Sequence, residues 1–239
     1  MIPGLLLVLG LAHTPLQAYN QGNALFARKD YAGAIQAYEQ ALAAGPSAAV
    51  HYNLGNACFK AGQIGRAVVN YRRARALDPR DPDVAANLRF ARSYRVDKVL
   101  ADPGPFARAL DDAFHRLSRR EAAELAAVAC LLAALLLALW IVRRRSLFAI
   151  AASLCGLVAL FGVVTQQVWA GEIAARPAVV VVPEVNALSG PGPEFKQILL
   201  VHDGTEVRIR EARGAYLLVQ LPGGGGGWVP KDAVERIYP

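Results

Sequence analysis

Two uncharged apolar runs separated by three arginines constrain this chain more than any other feature. Leu125 to Val142 and Ser146 to Gly171 contain no Asp, Glu, Lys or Arg. A helix needs about 20 apolar residues to cross the hydrocarbon of a bilayer, where every backbone polar group must be satisfied within the segment. Both runs come close to that length or exceed it, so they predict two transmembrane helices. The link between them, "RRRS" from Arg143 to Ser146, permits only a tight turn, so the helices form a hairpin. Trp140 and Trp169 stand near the ends of their runs, where indole rings favour the interface. "SRRE", Ser118 to Glu121, has the spacing of a capping box and starts the first spanning helix there. Composition agrees: 54% of residues are hydrophobic and the mean hydropathy is +0.28, above the range of ordinary soluble chains.

The chain opens "MIPGLLLVLGLAHTPLQA", with an apolar core from Leu5 to Ala12 that is too short to span. It reads as a secretory signal over residues 1–18. Arginines flank both ends of the first span, Arg116, Arg119 and Arg120 at one and Arg143, Arg144 and Arg145 at the other, so charge counting alone does not orient it. Export of Tyr19 onward would decide. The three-arginine turn is then cytoplasmic and both soluble regions are extracytoplasmic.

The formal net charge of +7 is unevenly placed. Between Tyr19 and Arg120 there are sixteen Lys and Arg against nine Asp and Glu, whereas the residues from Pro177 onward are close to balanced. The basic charges are dispersed on an exported region, which speaks against nucleic acid and for a face near anionic lipid or a protein partner. Cys58, Cys130 and Cys155 fall in three different segments and read as small buried hydrophobes, with no disulfide framework and no zinc spacing. His13, His51, His115 and His202 are isolated, and no nucleophile or metal motif surrounds them. "DPRDPD" lacks the central Gly and closing Glu of a calcium loop. The expectation is a non-enzymatic protein with no catalytic residues, metal or cofactor.

A duplication occupies the first soluble region. "YNQGNALF", Tyr19 to Phe26, returns 33 residues later as "YNLGNACF", Tyr52 to Phe59. The copies align Gly22 with Gly55, Asn23 with Asn56, Ala34 with Ala67, Tyr38 with Tyr71 and Pro46 with Pro79. Each unit reads as two helices joined by a short turn, with Gly and Ala at the crossings and Tyr filling the gap between pairs. These residues resemble the tetratricopeptide repeat over Ala18 to about Pro79. The resemblance implies an α-helical solenoid that binds peptides or proteins, its first helices lining the concave face. Tyr19, Asn23, Tyr52, Asn56 and Lys60 would then point into a groove, the amides meeting an extended backbone and Lys60 a carboxylate. Alternatively, Asn23 and Asn56 satisfy carbonyls of neighbouring helices.

Two repeats are fewer than a solenoid usually needs. "DPDVAANLRFARSYRVDKVL" can cap them, with Asp81 as N-cap, Pro82 in the first turn and Val84, Leu88 and Ala91 as one stripe. The repeats with this cap span 19–100. An amphipathic linker helix follows at 101–120, where Phe106, Leu110, Phe114 and Leu117 recur on one face. It packs on the solenoid or lies on the bilayer surface. The hairpin spans 121–171.

From Pro177 to Pro239 short β-rich runs alternate with Gly and Pro, which predicts a small all-β antiparallel barrel with a hairpin tip at Gly223 to Gly227. "VNALSGPGPEF", "HDGTEVRI" and "GWVPKDAVERI" resemble bacterial SH3-like domains, although Leu188 stands where those often carry Arg. Tyr216 and Trp228 form an aromatic groove, or Trp228 belongs to the barrel core.

The order of parts describes a multidomain membrane protein. It resembles the BatE-type tetratricopeptide proteins of the bacterial aerotolerance operon. That resemblance implies a multi-pass protein of the inner membrane, acting outside the cytoplasm beside membrane-anchored von Willebrand factor A-type Bat proteins and, indirectly, a MoxR-type ATPase. The implied role is a scaffold in envelope complex assembly or stress tolerance. A protein that binds or senses peptidoglycan through the β module is the alternative, and an assembly factor for respiratory or cytochrome maturation is a third reading.

Overall fold

The structure, a computed structural model, describes residues 14–97 and 104–238. The expected signal at 1–18 lies mostly outside the described residues, and its described part already belongs to the first helix. Five helices form the solenoid: α1 (Pro15–Ala27), α2 (Tyr31–Leu42), α3 (Ala48–Lys60), α4 (Ile64–Leu77) and α5 (Pro82–Ser93). Thr14 and Gln17 close a capping box on α1, Asp30 caps α2, and Asp81 caps α5 with Pro82 in its first turn.

The duplicated Gly and Tyr are matched by shape. A Cβ at Gly22 would stand 2.5 Å from Cε1 of Tyr38, and one at Gly55 would stand 2.7 Å from Cε1 of Tyr71. Each ring fills the space a larger residue would need, and both are almost wholly buried. Val84, Leu88 and Ala91 bury the inner face of α5, so this helix covers the end of the second repeat.

The C-terminal module is one antiparallel sheet of seven strands: β1 (Pro177–Val180), β2 (Glu184–Leu188), β3 (Gln197–His202), β4 (Glu206–Arg213), β5 (Tyr216–Gln220), β6 (Gly226–Pro230) and β7 (Val234–Arg236). Their order is β3-β2-β6-β5-β4-β1-β7. The expected barrel is therefore corrected: β3 and β7 are edges that do not pair, and the sheet is not closed. Register shifts at Ala187/Leu188 and Ile209/Glu211 bend it around Val180, Val201, Val219 and Val229. The physical reason for the open edge lies in α4. Arg73 of that helix donates to the carbonyls of Arg236 and Ile237 at 2.6 and 3.0 Å, so side-chain donors serve backbone beside β7 that a closing strand could have used.

β1 joins the two modules. Alternate residues of a strand face opposite sides. Ala178 and Val180 enter the core of the sheet, while Val179, with Ile237, enters the core of the solenoid beside α4. Burial on both faces explains why this stretch reads as an unbroken apolar run.

The two longest helices, α7 (Arg119–Arg143) and α8 (Ser146–Ala174), pair along their length. Ser118 and Glu121 form the capping box of α7, and Arg144 makes the turn in the left-handed region at φ 53°. Small residues let the backbones approach: a Cβ at Gly162 would lie 2.8 Å from the carbonyl oxygen of Ala122. Both helices are long and apolar enough to cross a membrane, and only 6% and 17% of their most apolar windows are buried in the fold. Such exposure distinguishes them from core helices.

Helix α6 (Gly104–Phe114) lies against α8 through Phe114, whose ring stacks on Phe161 at 5.7 Å, leaving Phe106 and Leu110 exposed. Trp169 donates from Nε1 to the carbonyl of Leu117 at 3.0 Å. The solenoid and sheet thus meet the hairpin at the start of α7 and the end of α8, opposite Arg143 to Arg145.

If the Gly–Tyr fit holds the repeats together, Gly55→Val destabilises the fold by about 1–3 kcal/mol, as overpacking of a close contact does. Gly223→Ala, in a loop with open space around it, leaves stability unchanged. Thermal unfolding of the two variants beside the parent measures the difference.

Candidate functional site

The first-helix face carries a polar ladder built by the duplication. Tyr38 donates from Oη to Asn23 Oδ1 at 2.8 Å, and Asn53 donates from Nδ2 to the same oxygen at 3.1 Å and to Tyr19 Oη at 3.0 Å. One repeat later, Tyr71 donates to Asn56 Oδ1 at 2.7 Å, while Asn87 donates to Asn56 Oδ1 at 2.9 Å and to Tyr52 Oη at 3.1 Å. Four of the residues expected in the groove, Tyr19, Asn23, Tyr52 and Asn56, are thereby brought together. Lys60 stands exposed one turn beyond Asn56 on α3.

The ladder's chemistry is one-sided. The Oδ1 atoms of Asn23 and Asn56 each accept two side-chain bonds. Their Nδ2 groups have no acceptor among the described residues. With the Tyr19 and Tyr52 hydroxyls accepting from Asn53 and Asn87, their own protons are also free to donate. Donors therefore predominate on this surface, which matches carbonyl or carboxylate oxygens of an incoming segment. Asn53 and Asn87 were not anticipated from the sequence, although Asn20, Asn53 and Asn87 recur at repeat spacing.

The opposite side of the solenoid is occupied by the sheet through ionic contacts. Glu206 accepts from Arg92 Nε at 2.7 Å, Arg72 Nη1 at 2.6 Å and Arg95 Nη1 at 3.0 Å. Arg72 reaches on to Glu172 at the end of α8, and Glu172 also meets Tyr238 Oη at 3.0 Å. Glu172 and the carbonyl of Asp111 flank His115 at 3.0 and 2.8 Å. Both are acceptors, so both ring nitrogens are asked to donate, and the Glu172 bond above all raises the His115 pKa. Asp97 accepts from Thr205 Oγ1 at 2.7 Å and from the His202 N–H at 2.9 Å. Asp203 caps α4 from across the interface, accepting from the Gly65 N–H at 2.9 Å, where Gln63 supplies no cap of its own.

On the sheet, Tyr216 and Trp228 share the face opposite the main core, since Leu218 pairs with Trp228 and Tyr216 with Pro230. Trp228 is nevertheless only 8% exposed, with the Arg213 guanidinium 5.4 Å above its ring, and the two aromatic rings make no contact. Cys58 is buried, which pushes its thiol up to about 12. No group of His, Cys, Asp and Glu suited to a metal occurs among the described residues.

Burial opposes the charge on Glu206, but Arg92 and Arg72 overcome it and hold the carboxyl at about 2, below its ordinary 4.5. Because the folded value lies under the unfolded one, protons bind the unfolded state first, and stability falls with falling pH. This contribution is complete above pH 4.5 and is lost as pH drops toward 2. Glu206→Gln should flatten acid unfolding in that window and, at neutral pH, cost roughly 3 kcal/mol by leaving three guanidinium groups undercompensated. Chemical denaturation of both forms at a series of pH values measures both effects.

The comparison with known families adds one finding. Residues 19–82 match the tetratricopeptide repeat family, the interval that holds most of α1, all of α2 to α4 and their glycine, tyrosine and asparagine pairs. No curated protein matches the chain. The helical region over these residues is accordingly similar to tetratricopeptide repeats, which generally bind protein partners.

Proposed function

We propose that this protein is a non-enzymatic, membrane-anchored scaffold that holds an extended segment of a partner protein on the first-helix face of its repeats. The observation that carries this reading is the division of the solenoid's two sides. The α4 side is taken up by the sheet, whereas Asn23, Asn56, Tyr19, Tyr52 and Lys60 leave a donor-rich face open. Their alignment suits successive backbone carbonyls or an acidic side chain.

The exposed apolar surfaces of α7 and α8 support a transmembrane hairpin, since water would leave both faces uncompensated. In this reading Arg143, Arg144 and Arg145 are cytoplasmic and the soluble modules stand outside a bacterial inner membrane. The likeness of the part order to BatE-type proteins supports partners among von Willebrand factor A-type membrane proteins, an indirect link to a MoxR-type ATPase, and a role in envelope complex assembly or aerotolerance. The sheet is proposed to be a divergent SH3-like module. The shared outer face of Tyr216 and Trp228 supports a second reading, in which this module binds peptidoglycan.

A photocrosslinking residue at position 56 should capture discrete protein partners in cells, and one at Gln36, exposed on α2, should not. Equal yields at both positions would remove the groove reading. Retention of the full chain on purified cell-wall sacculi, abolished by Tyr216→Ala, would put the peptidoglycan reading in its place. Membrane insertion has its own test in Cys130, which is exposed at mid-helix in α7. A membrane-impermeant maleimide should leave Cys130 unlabelled in intact membranes and label it after unfolding in denaturant; full labelling before unfolding would contradict insertion.

A further inference from the structure

Two cavities meet where the solenoid, the sheet and the hairpin converge. The smaller, about 300 Å³, is lined by Arg72, Arg75, Arg92 and Arg208 with Asp111 and Glu172 among its other walls. Arg72 and Arg92 are committed to Glu206 and Glu172. Arg208 has no side-chain partner among the described residues, and Arg75 has only Asp112 at 3.7 Å. The smaller cavity therefore contains two cations with unused donors.

The larger cavity, about 940 Å³, lies between the α2–α3 turn and the hairpin. Its charged lining consists of Arg73, Arg119 and Arg120, with no carboxylate, and its walls include Leu42, Leu77, Ile173 and Ile237. Ala76, Trp169 and Tyr238 line both cavities, so the two adjoin. A small, highly charged chamber thus opens beside a larger one that combines aliphatic walls with three arginines, at the ends of α7 and α8.

We propose that the pair holds one anionic phospholipid, its phosphate between Arg75 and Arg208 and one acyl chain against Leu77 and Ile173. The inference rests on the membrane reading given above. Charge complementarity selects the anionic headgroup, because the cations of the two linings exceed their carboxylates. Continuity with the apolar surfaces of α7 and α8 selects a lipid over a soluble anion, which would leave the larger chamber unfilled. A peptide would meet mostly aliphatic side chains there, with few partners for its backbone. A lipid in this place would fix the tilt of the solenoid over the bilayer.

The full chain, purified in detergent, should retain one added phosphatidylglycerol per molecule in native mass spectrometry, in preference to phosphatidylcholine. Arg75→Gln combined with Arg208→Gln should reduce that preference roughly tenfold or more, as expected for two cations at a membrane surface. Ala76→Trp, which fills the space shared by the cavities while keeping every charge, should also lower retention. Glycerophosphoglycerol, the headgroup without chains, should not compete at equal concentration. Equal retention of the two lipids, or retention indifferent to both variants, overturns the lipid site even when Cys130 is protected. Effective competition by the free headgroup also overturns it, in favour of a soluble phosphate ligand. Full labelling of Cys130 before unfolding would instead remove the membrane reading on which the proposal rests.

Discussion

The junction of solenoid, sheet and hairpin centres on the buried ion pairs of Arg72. Its side chain is only 16% exposed, and it spans from Glu206 on the sheet to Glu172 on the last turn of α8. A charge in such surroundings is tolerated only when fully paired, because desolvation otherwise costs several kcal/mol. Burial opposes the guanidinium charge, yet the two carboxylates more than offset this and raise its pKa. One residue of the second repeat thereby ties the solenoid to the sheet and to the hairpin, and removing either carboxylate would leave its buried charge undercompensated.

Apolar packing makes the same junction continuous. Val179 and Ile237 lie in the solenoid's core while Ala178 and Val180 lie in the sheet's. The sheet also supplies Asp203 to cap α4. Two repeats bury too little surface to stand alone comfortably, and here α5 covers one end while β1 and β7 cover α4. The consequence for function is geometric. With α4 enclosed, the solenoid's open polar face is the ladder from Tyr19 to Asn87, held at a set orientation relative to the hairpin.

Much of the candidate site was legible because it is repeated. Duplication exposes Asn23 with Asn56 and Tyr19 with Tyr52, and helical spacing puts them on one face. The cross-helix donors were harder to see. Asn53 and Asn87 recur at nearly the same interval, but only the stacking of α3 on α1 and α5 on α3 shows that each amide bridges backward to the first helix of the preceding pair. Trp228 could not be assigned from alternation. It sits opposite the main core of the sheet and is nevertheless covered, with the Arg213 guanidinium over its ring.

The amino-acid order by itself determined the helical repeats, their caps, the two long apolar helices and the β-rich end, since these follow from local periodicity, capping chemistry and turn residues. Only the tertiary structure decided that the sheet stays open and that α4 is a junction. Arg72, Glu172 and Glu206 look in the sequence like ordinary solvated charges. They are separated by up to 134 residues, and nothing local records their pairing. Their burial is a collective result: each charge can leave water only because the fold brings its counter-charge to the same place.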